Sequence, residues 1–297
     1  MKLRRTMLYV PGNNSAMVKD AHIYRSDSLM FDLEDSVSVR EKDAARFLVF
    51  NALKTLFYGG IETVVRINDL SSPYGHEDVQ AMVAAGVDTI RLPKTETADD
   101  IVQVEKVIAA AEARFGRKVG STQLIAAVES AKGILNARDI ACASPRLVGI
   151  AIGAEDFVTD MHTTRSPEGT ELLVARSMLV MAARSAGIMA LDTVFSDVND
   201  EAGFEKEVRL AKQLGFDGKS VIHPLQIPIV NMVYTPTKAE IDKALRVVAA
   251  IKEAEAKGSG VIAVDGKMID KPIVDRARRN LELARAAGIE IPEETAK

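Results

Sequence analysis

Apolar positions along this chain fall into two periods. One kind of run is short, rich in β-branched residues and not alternating: Thr6–Val10, Ser28–Phe31, Thr63–Ile67, Thr89–Leu92, Leu124–Val128, Val148–Ile152, Ile188–Val194 and Gly218–Ile222. Runs of this kind read as strands buried on both faces, the form strands take in parallel sheets. The other kind is spaced for one face of a helix. It predicts helices from near Ser15, from Arg40 to about Phe57 with Gly59-Gly60 as the stop, and over Val79–Ala85 before Gly86. A capping pair, Thr97 and Asp100, opens another through Ile101, Val104, Val107 and Ile108. Glu171–Ser185 before Gly187 and Glu205–Leu214 before Gly215 follow the same rule.

Strands alternating with helices in an unbroken series point to a parallel sheet, and the count suits a (β/α)8 TIM barrel over residues 1–234. A doubly wound open sheet is the alternative. Against it, no Gly-x-Gly-x-x-Gly follows the first strand, and every strand ends in polar residues, as a barrel rim does. After Tyr234 the pattern changes. Thr237 and Glu240 form a capping box before a helix carrying Ile241, Leu245, Val248 and Ile251, and Gly258-Ser-Gly260 breaks it. Val261–Ile269 reads as a hairpin turning at Asp265-Gly266, and Pro272 starts a last helix through Ile273, Ala277, Leu281 and Ala284 to Gly288. Residues 235–297 are therefore expected to be a helix–hairpin–helix extension serving as a lid and subunit contact.

Composition changes this picture little. The 297 residues are 47% hydrophobic and 27% charged, enough for a sizeable core. The net charge of −4 argues against a general nucleic-acid or anionic-membrane partner. No apolar run approaches the roughly 20 residues of a membrane span, so a cytoplasmic protein is expected. The single cysteine, Cys142, excludes an intramolecular disulfide and fits a reducing compartment; its helix-like setting suggests a packing role.

Chemistry gathers at the strand exits: Asn13 and Asn14; Asp32, Glu34 and Asp35; Arg66 and Asn68; Lys94; Glu129; Glu155 and Asp156; Asp192 and Asp197; Lys219 and His223. A barrel brings such residues to one face. Carboxylates from several strands suit a hard divalent cation, and four histidines without zinc spacing favour Mg²⁺, with Mn²⁺ possible, over Zn²⁺. Mg²⁺ takes one or two protein carboxylates, and Glu129 and Asp156 at neighbouring strand ends are the leading pair. Arg66, at the end of a buried strand, must be paired. Its fork suits a substrate carboxylate or, equally, a salt bridge to Asp32 or Glu34. Lys94 is open to two readings, a Schiff-base nucleophile or an electrostatic contact. Ser166-Pro167 could start a helix at the rim or simply cap one.

Several stretches taken in order carry a resemblance: Met7–Asn13, Phe31–Val37, Val65–Asn68, Arg91–Lys94, Ala127–Ser130 and Gly153–Asp156. The chain resembles the aldolase/citrate lyase superfamily. Arg165–Glu171, Asn199–Phe204, Leu214–Ser220 and Gly266–Asp270 resemble its citrate lyase β-subunit branch. The resemblance implies a Mg²⁺-dependent barrel, an oxo-acid lyase that cleaves a carbon–carbon bond in a 3-hydroxyacyl thioester. In that branch a citryl thioester on an acyl carrier subunit becomes oxaloacetate and an acetyl thioester, with a transferase subunit as further partner. The resemblance also implies roles for single residues. Glu129 and Asp156 match the metal ligands, and Arg66 the arginine that grips the oxaloacetate end. Asp270 matches an aspartate reaching from the C-terminal lid of a neighbouring subunit, which would make it the proton carrier in a homo-oligomer. Two readings compete: a stand-alone malyl- or citramalyl-CoA-type lyase or thioesterase, and a non-catalytic barrel acting as scaffold.

Overall fold

The computed structural model describes residues 2–256, 262–264 and 267–291. Two compact units are present. Arg4–Asn231 is one; the other begins at Met232 and takes in the chain's first three residues.

In the first unit β1 (Thr6–Pro11), β2 (Ser28–Asp32), β3 (Glu62–Arg66), β4 (Thr89–Leu92), β5 (Gln123–Val128), β6 (Leu147–Ile152), β7 (Met189–Asp192) and β8 (Gly218–Val221) close into a parallel barrel in sequence order, β8 pairing with β1. The open-sheet alternative is thereby excluded. The connecting helices are α1 (Ser15–Asp20), α2 (Lys42–Thr55), α3 (Gly75–Ala85), α4 (Ala98–Arg114), α5 (Ala131–Leu135), α6 (Ala137–Ala141), α7 (Ala154–Asp160), α8 (Thr170–Ala186) and α9 (Glu201–Leu214), and α10 (Gln226–Tyr234) follows β8 and spans the boundary at Asn231. The capping box at Thr97 and Asp100 forms as expected, and Gly187 and Gly215 take the left-handed conformation that ends α8 and α9.

Alternation along each strand sorts side chains into lumen and outer layer. At the N-terminal end of the lumen Arg4 makes a two-bond pair with Glu62, at 2.7 Å for each bond, and Glu62 also accepts from Ser28 and Thr89. Above this polar plug Met7, Met30, Val64, Ile125, Ala151 and Leu191 fill a buried apolar layer. The C-terminal strand ends stand above that layer.

Several elements differ from expectation. Helix α2 stops at Thr55, where Leu56 turns extended, short of Gly59-Gly60. Strand β7 is shorter than Ile188–Val194, running over Met189–Asp192. Helix α8 runs over Thr170–Ala186, as the Glu171–Ser185 pattern indicates, but Ser166-Pro167 does not start it; the Ser166 hydroxyl bonds the Glu171 carboxylate. Cys142 is exposed at the end of α6, so it has no packing role.

The second unit contains α11 (Lys238–Ala256), the antiparallel pair β9 (Ile262–Val264) and β10 (Lys267–Ile269), and α12 (Lys271–Ala286). The Thr237–Glu240 capping box is made, with Glu240 Oε2 accepting from the Thr237 amide at 2.8 Å. Ile241, Val248 and Ile251 pack with Val274, Leu281 and Ala284. The expected break at Gly258–Gly260 and turn at Asp265-Gly266 lie outside the described residues. Among the described residues no helix is long and apolar enough to cross a membrane.

Candidate functional site

Parallel pairing sets Asp32 of β2 against Arg66 of β3, and Arg66 against Arg91 of β4. All three face a cavity of about 430 Å³ at the C-terminal mouth of the lumen, together with Tyr9, Asp35, Glu129, Asp156, Thr193 and Ser220.

Arg66 is held by a side-on pair to Asp32, Nε to Oδ1 at 2.7 Å and Nη2 to Oδ2 at 2.8 Å. Its Nη1 lies 2.8 Å from Glu34 and 3.1 Å from Asp35. The salt-bridge alternative for Arg66 is therefore realised. Burial pushes the Asp32 carboxyl up, but the Arg66 fork and the bonds from Ser36 and Glu34 outweigh it and hold it below the usual range. Both Asp32 oxygens are thus occupied. Asp32 anchors Arg66 and the loop that follows β2. Asp35 also faces the cavity, whereas Glu34 does not. Burial drives the Glu34 carboxyl up to about 7, against the opposing charge of Arg66.

Glu129 leaves β5 beside Gly153, because Val128 pairs with Ile152. Its carboxylate is 6% exposed and accepts one long bond, from the Lys94 amide at 3.3 Å. Burial raises its pKa; Arg91 opposes and the negative charge of Asp156 adds to the rise. Asp156 sits exposed in the first turn of α7, directly after β6. Two neighbouring carboxylates, one buried and poorly bonded, form an electrostatic deficit that a cation would relieve. Among the described residues no group of three or more His, Cys, Asp or Glu is placed to hold a metal. That sparse donor set fits Mg²⁺, which keeps most of its positions for water and substrate, and does not fit Zn²⁺.

Lys94 differs from one of its two readings. Its side chain is about half exposed and lies 3.2 Å from Glu34, whose charge raises its pKa. A Schiff-base lysine needs the opposite shift. Lys94 contributes through its backbone: φ of 49° is rare for a residue with a Cβ, and it goes with the amide that bonds Glu129.

Other exit residues have structural duties. Alternation turns Asp192 and Lys219 outward, where Arg176, Asp192, Lys219 and Glu207 form a buried network with contacts of 2.6–3.3 Å. Asn13 bonds Glu41, Asn14 caps α1, Asn68 bonds Asp78, and His223 accepts from the Leu225 amide in a turn. Asp197 bonds the Asn199 amide, and Glu155 pairs with Arg165. A larger cavity, about 900 Å³, lies by the start of α8 and α9, where Arg165 and Arg176 both pair with Glu207. The buried Glu129 carboxylate, which makes no ion pair among the described residues, is in the barrel mouth. In the second unit Asp270 caps α12, its Oδ1 accepting from the Ile273 amide at 3.3 Å.

Arg91 escaped the sequence reading. A cation in a buried strand, the signal at Arg66, is equally present in Thr-Ile-Arg-Leu of β4. Its side chain is 2% exposed, and Tyr9 presents its ring to both arginines, 5.1 Å from Arg66 and 5.7 Å from Arg91.

Comparison with known proteins places the chain in a family. The chain is 58% identical over 285 residues to citrate lyase subunit beta of Leuconostoc mesenteroides subsp. cremoris, covering 96% of this chain and 94% of that one. It is 36% identical over 282 residues to a (3S)-malyl-CoA thioesterase of Cereibacter sphaeroides, covering 95% of each. Among solved structures it superposes on the protein CitE of Mycobacterium tuberculosis, in complex with magnesium, acetoacetate and coenzyme A. The TM-score is 0.78 at 30% identity, over 95% of this chain and 98% of that one. Residues 5–224 match the family model for HpcH/HpaI aldolase/citrate lyase, and with relatives this similar over nearly the whole length the chain belongs to that family.

Proposed function

We propose that this chain is a divalent-metal-dependent carbon–carbon lyase. It would split a citryl thioester, borne on an acyl carrier subunit, into oxaloacetate and an acetyl thioester. The observation that carries this reading is the buried Glu129 carboxylate, with one long main-chain bond, close enough to Asp156 for their charges to repel. Glu129 and Asp156 would hold Mg²⁺, or Mn²⁺ in its place, and the ion would supply the Lewis acidity that eases loss of the substrate hydroxyl proton. Arg66, fixed by Asp32, orients a carboxylate of the reactant beside that pair. Asp270, on a lid contributed by a neighbouring copy, takes the hydroxyl proton. The electrons of the breaking carbon–carbon bond move onto the thioester, and the proton returns to the new acetyl carbon. The setting is a homo-oligomer in the cytoplasm, assembled with the carrier and a transferase subunit.

The test compares cleavage of carrier-bound and CoA-bound citryl thioester with and without Mg²⁺. Glu129→Gln should abolish turnover and Asp270→Asn should lower it at least ~100-fold, the range of a lost general acid–base group. An equal mixture of the two variants should regain activity if the lid works between copies. Full turnover in Asp270→Asn would remove that residue from the mechanism. The similarity to a malyl-CoA thioesterase supports a second reading, a stand-alone malyl- or citramalyl-CoA-type enzyme. Turnover of those substrates far above citryl thioester would select it. The rim carboxylates speak against a scaffold without activity.

A further inference from the structure

Buried arginines in this barrel follow a rule with one exception. Arg4 is paired with Glu62, Arg66 with Asp32, Arg146 with Glu112 and Arg176 with Asp192, each carboxylate within 3.0 Å. Arg91 is as deeply buried as these, yet among the described residues no carboxylate lies within ion-pair distance of it. Its Nη1 reaches Ser220 Oγ at 3.3 Å and Met30 Sδ at 3.7 Å, and its Nε has no hydrogen-bond partner. A guanidinium withdrawn from water and left without an anion is strongly disfavoured unless something arrives to meet it. Arg91 lines the same cavity as Glu129 and Arg66, so what arrives must come through that mouth.

Resting on the proposed reaction, we infer that Arg91 is a specificity-determining residue: it receives the carboxylate of the substrate's CH₂–COO⁻ arm. A citryl thioester carries two free carboxylates. One is on the carbinol carbon, next to the hydroxyl, and belongs beside Glu129, Asp156 and Arg66. The other ends the CH₂ arm, and a malyl thioester lacks it. Arg66 is a poor second receiver, because Asp32, Glu34 and Asp35 already surround its guanidinium with three carboxylates. Arg91 faces none. Its planar fork, on the strand beside Arg66, offers donors that a malyl substrate would leave unused. A site built to bond a charged group discriminates sharply against the analogue without it, because the buried donor is then stranded.

Oxaloacetate and pyruvate are the probe pair, since they share the 2-oxo-carboxylate and differ in the distal carboxylate. Their dissociation constants are measured by calorimetry in the presence of Mg²⁺. The wild type should bind oxaloacetate at least ~100-fold more tightly than pyruvate, and Arg91→Met should cut that ratio below ~10 with pyruvate affinity unchanged. Arg91→Lys should restore part of the ratio. For thioesters, Arg91→Met should raise KM and lower kcat/KM for the citryl form at least ~100-fold while malyl turnover stays within ~3-fold. A wild type without preference for oxaloacetate overturns the inference. So does an Arg91→Met protein that loses both ligands equally, since Arg91 would then act through Glu129 or through the fold. A wild type that prefers oxaloacetate yet turns over no citryl thioester sinks the proposed reaction and leaves the carboxylate assignment standing.

Discussion

Gly153 offers a way to move the Glu129 carboxylate without touching it. A Cβ at Gly153 would lie 2.5 Å from Glu129 Cγ, 2.9 Å from Oε1 and 3.0 Å from Cδ. Ordinary carbon contacts begin near ~3.5 Å, so the Glu129 side chain must give way by about 1 Å. All three atoms belong to one side chain, so a rotation about the Glu129 Cα–Cβ bond that frees Cγ carries the carboxylate with it. The backbone at Gly153 has φ of −103°, which alanine adopts freely, so Gly153→Ala carries no conformational penalty of its own. Metal–ligand distances tolerate only about ±0.2 Å, and a displacement of about 1 Å at a reacting centre costs on the order of 10²-fold, or ~2.7 kcal/mol of barrier. We expect Gly153→Ala to lose about 100-fold in kcat/KM with a right-shifted Mg²⁺ titration. The fold should remain, losing about 1–3 kcal/mol of stability as overpacked sites do. The assay is citryl-thioester cleavage across a Mg²⁺ series, with thermal denaturation in parallel. Wild-type turnover and wild-type Mg²⁺ dependence in a folded Gly153→Ala protein would refute the assignment of Glu129 as a ligand.

Two further expectations concern stability. Glu34 has a native pKa of about 7 against an ordinary 4.5, so the fold favours its protonated form. Its contribution is complete below about pH 4.5 and is lost as pH rises through about 7, at most ~3 kcal/mol. In EDTA, Glu34→Gln should therefore match the wild type near pH 5 and exceed it at pH 8 in urea denaturation; a gap that narrows with rising pH contradicts this. Asp192 lies between Arg176 and Lys219 with no exposed surface. Asp192→Asn leaves two buried cations to share Glu207 alone and should cost about 3–5 kcal/mol by chemical denaturation, where an unchanged midpoint would show the network to be dispensable.

Much of this architecture could be read from the chain. Unalternating apolar runs marked the strands, and the Thr97–Asp100 and Thr237–Glu240 pairs and Gly187 and Gly215 marked helix ends, because each has a local steric or hydrogen-bonding cause. The pairing of Arg66 with Asp32 was one of two readings the residues allowed, and it is present in the structure, while the substrate-carboxylate role of Arg66 stands as a proposal. Strand phase was hidden. When both faces of a strand are apolar, composition does not say which side chains enter the lumen. Asp192 and Lys219 consequently looked like site residues although they point outward, and Arg91 passed unnoticed although it points in. Helices α7 and α10 were also missed, the first because it follows β6 with only Gly153 between them. The left-handed Lys94 carries no signature in its residue type.

The Arg4–Glu62 plug and the apolar layer above it give the lumen a floor and leave one doorway. A blind well imposes an order of traffic. A reactant that enters head first, its carboxylates leading and its thioester arm trailing to the carrier, leaves its two fragments stacked in that sequence. In the proposed reaction the keto acid beneath would depart only after the tethered acetyl group had been drawn back out, so the carrier's own withdrawal would empty the enzyme.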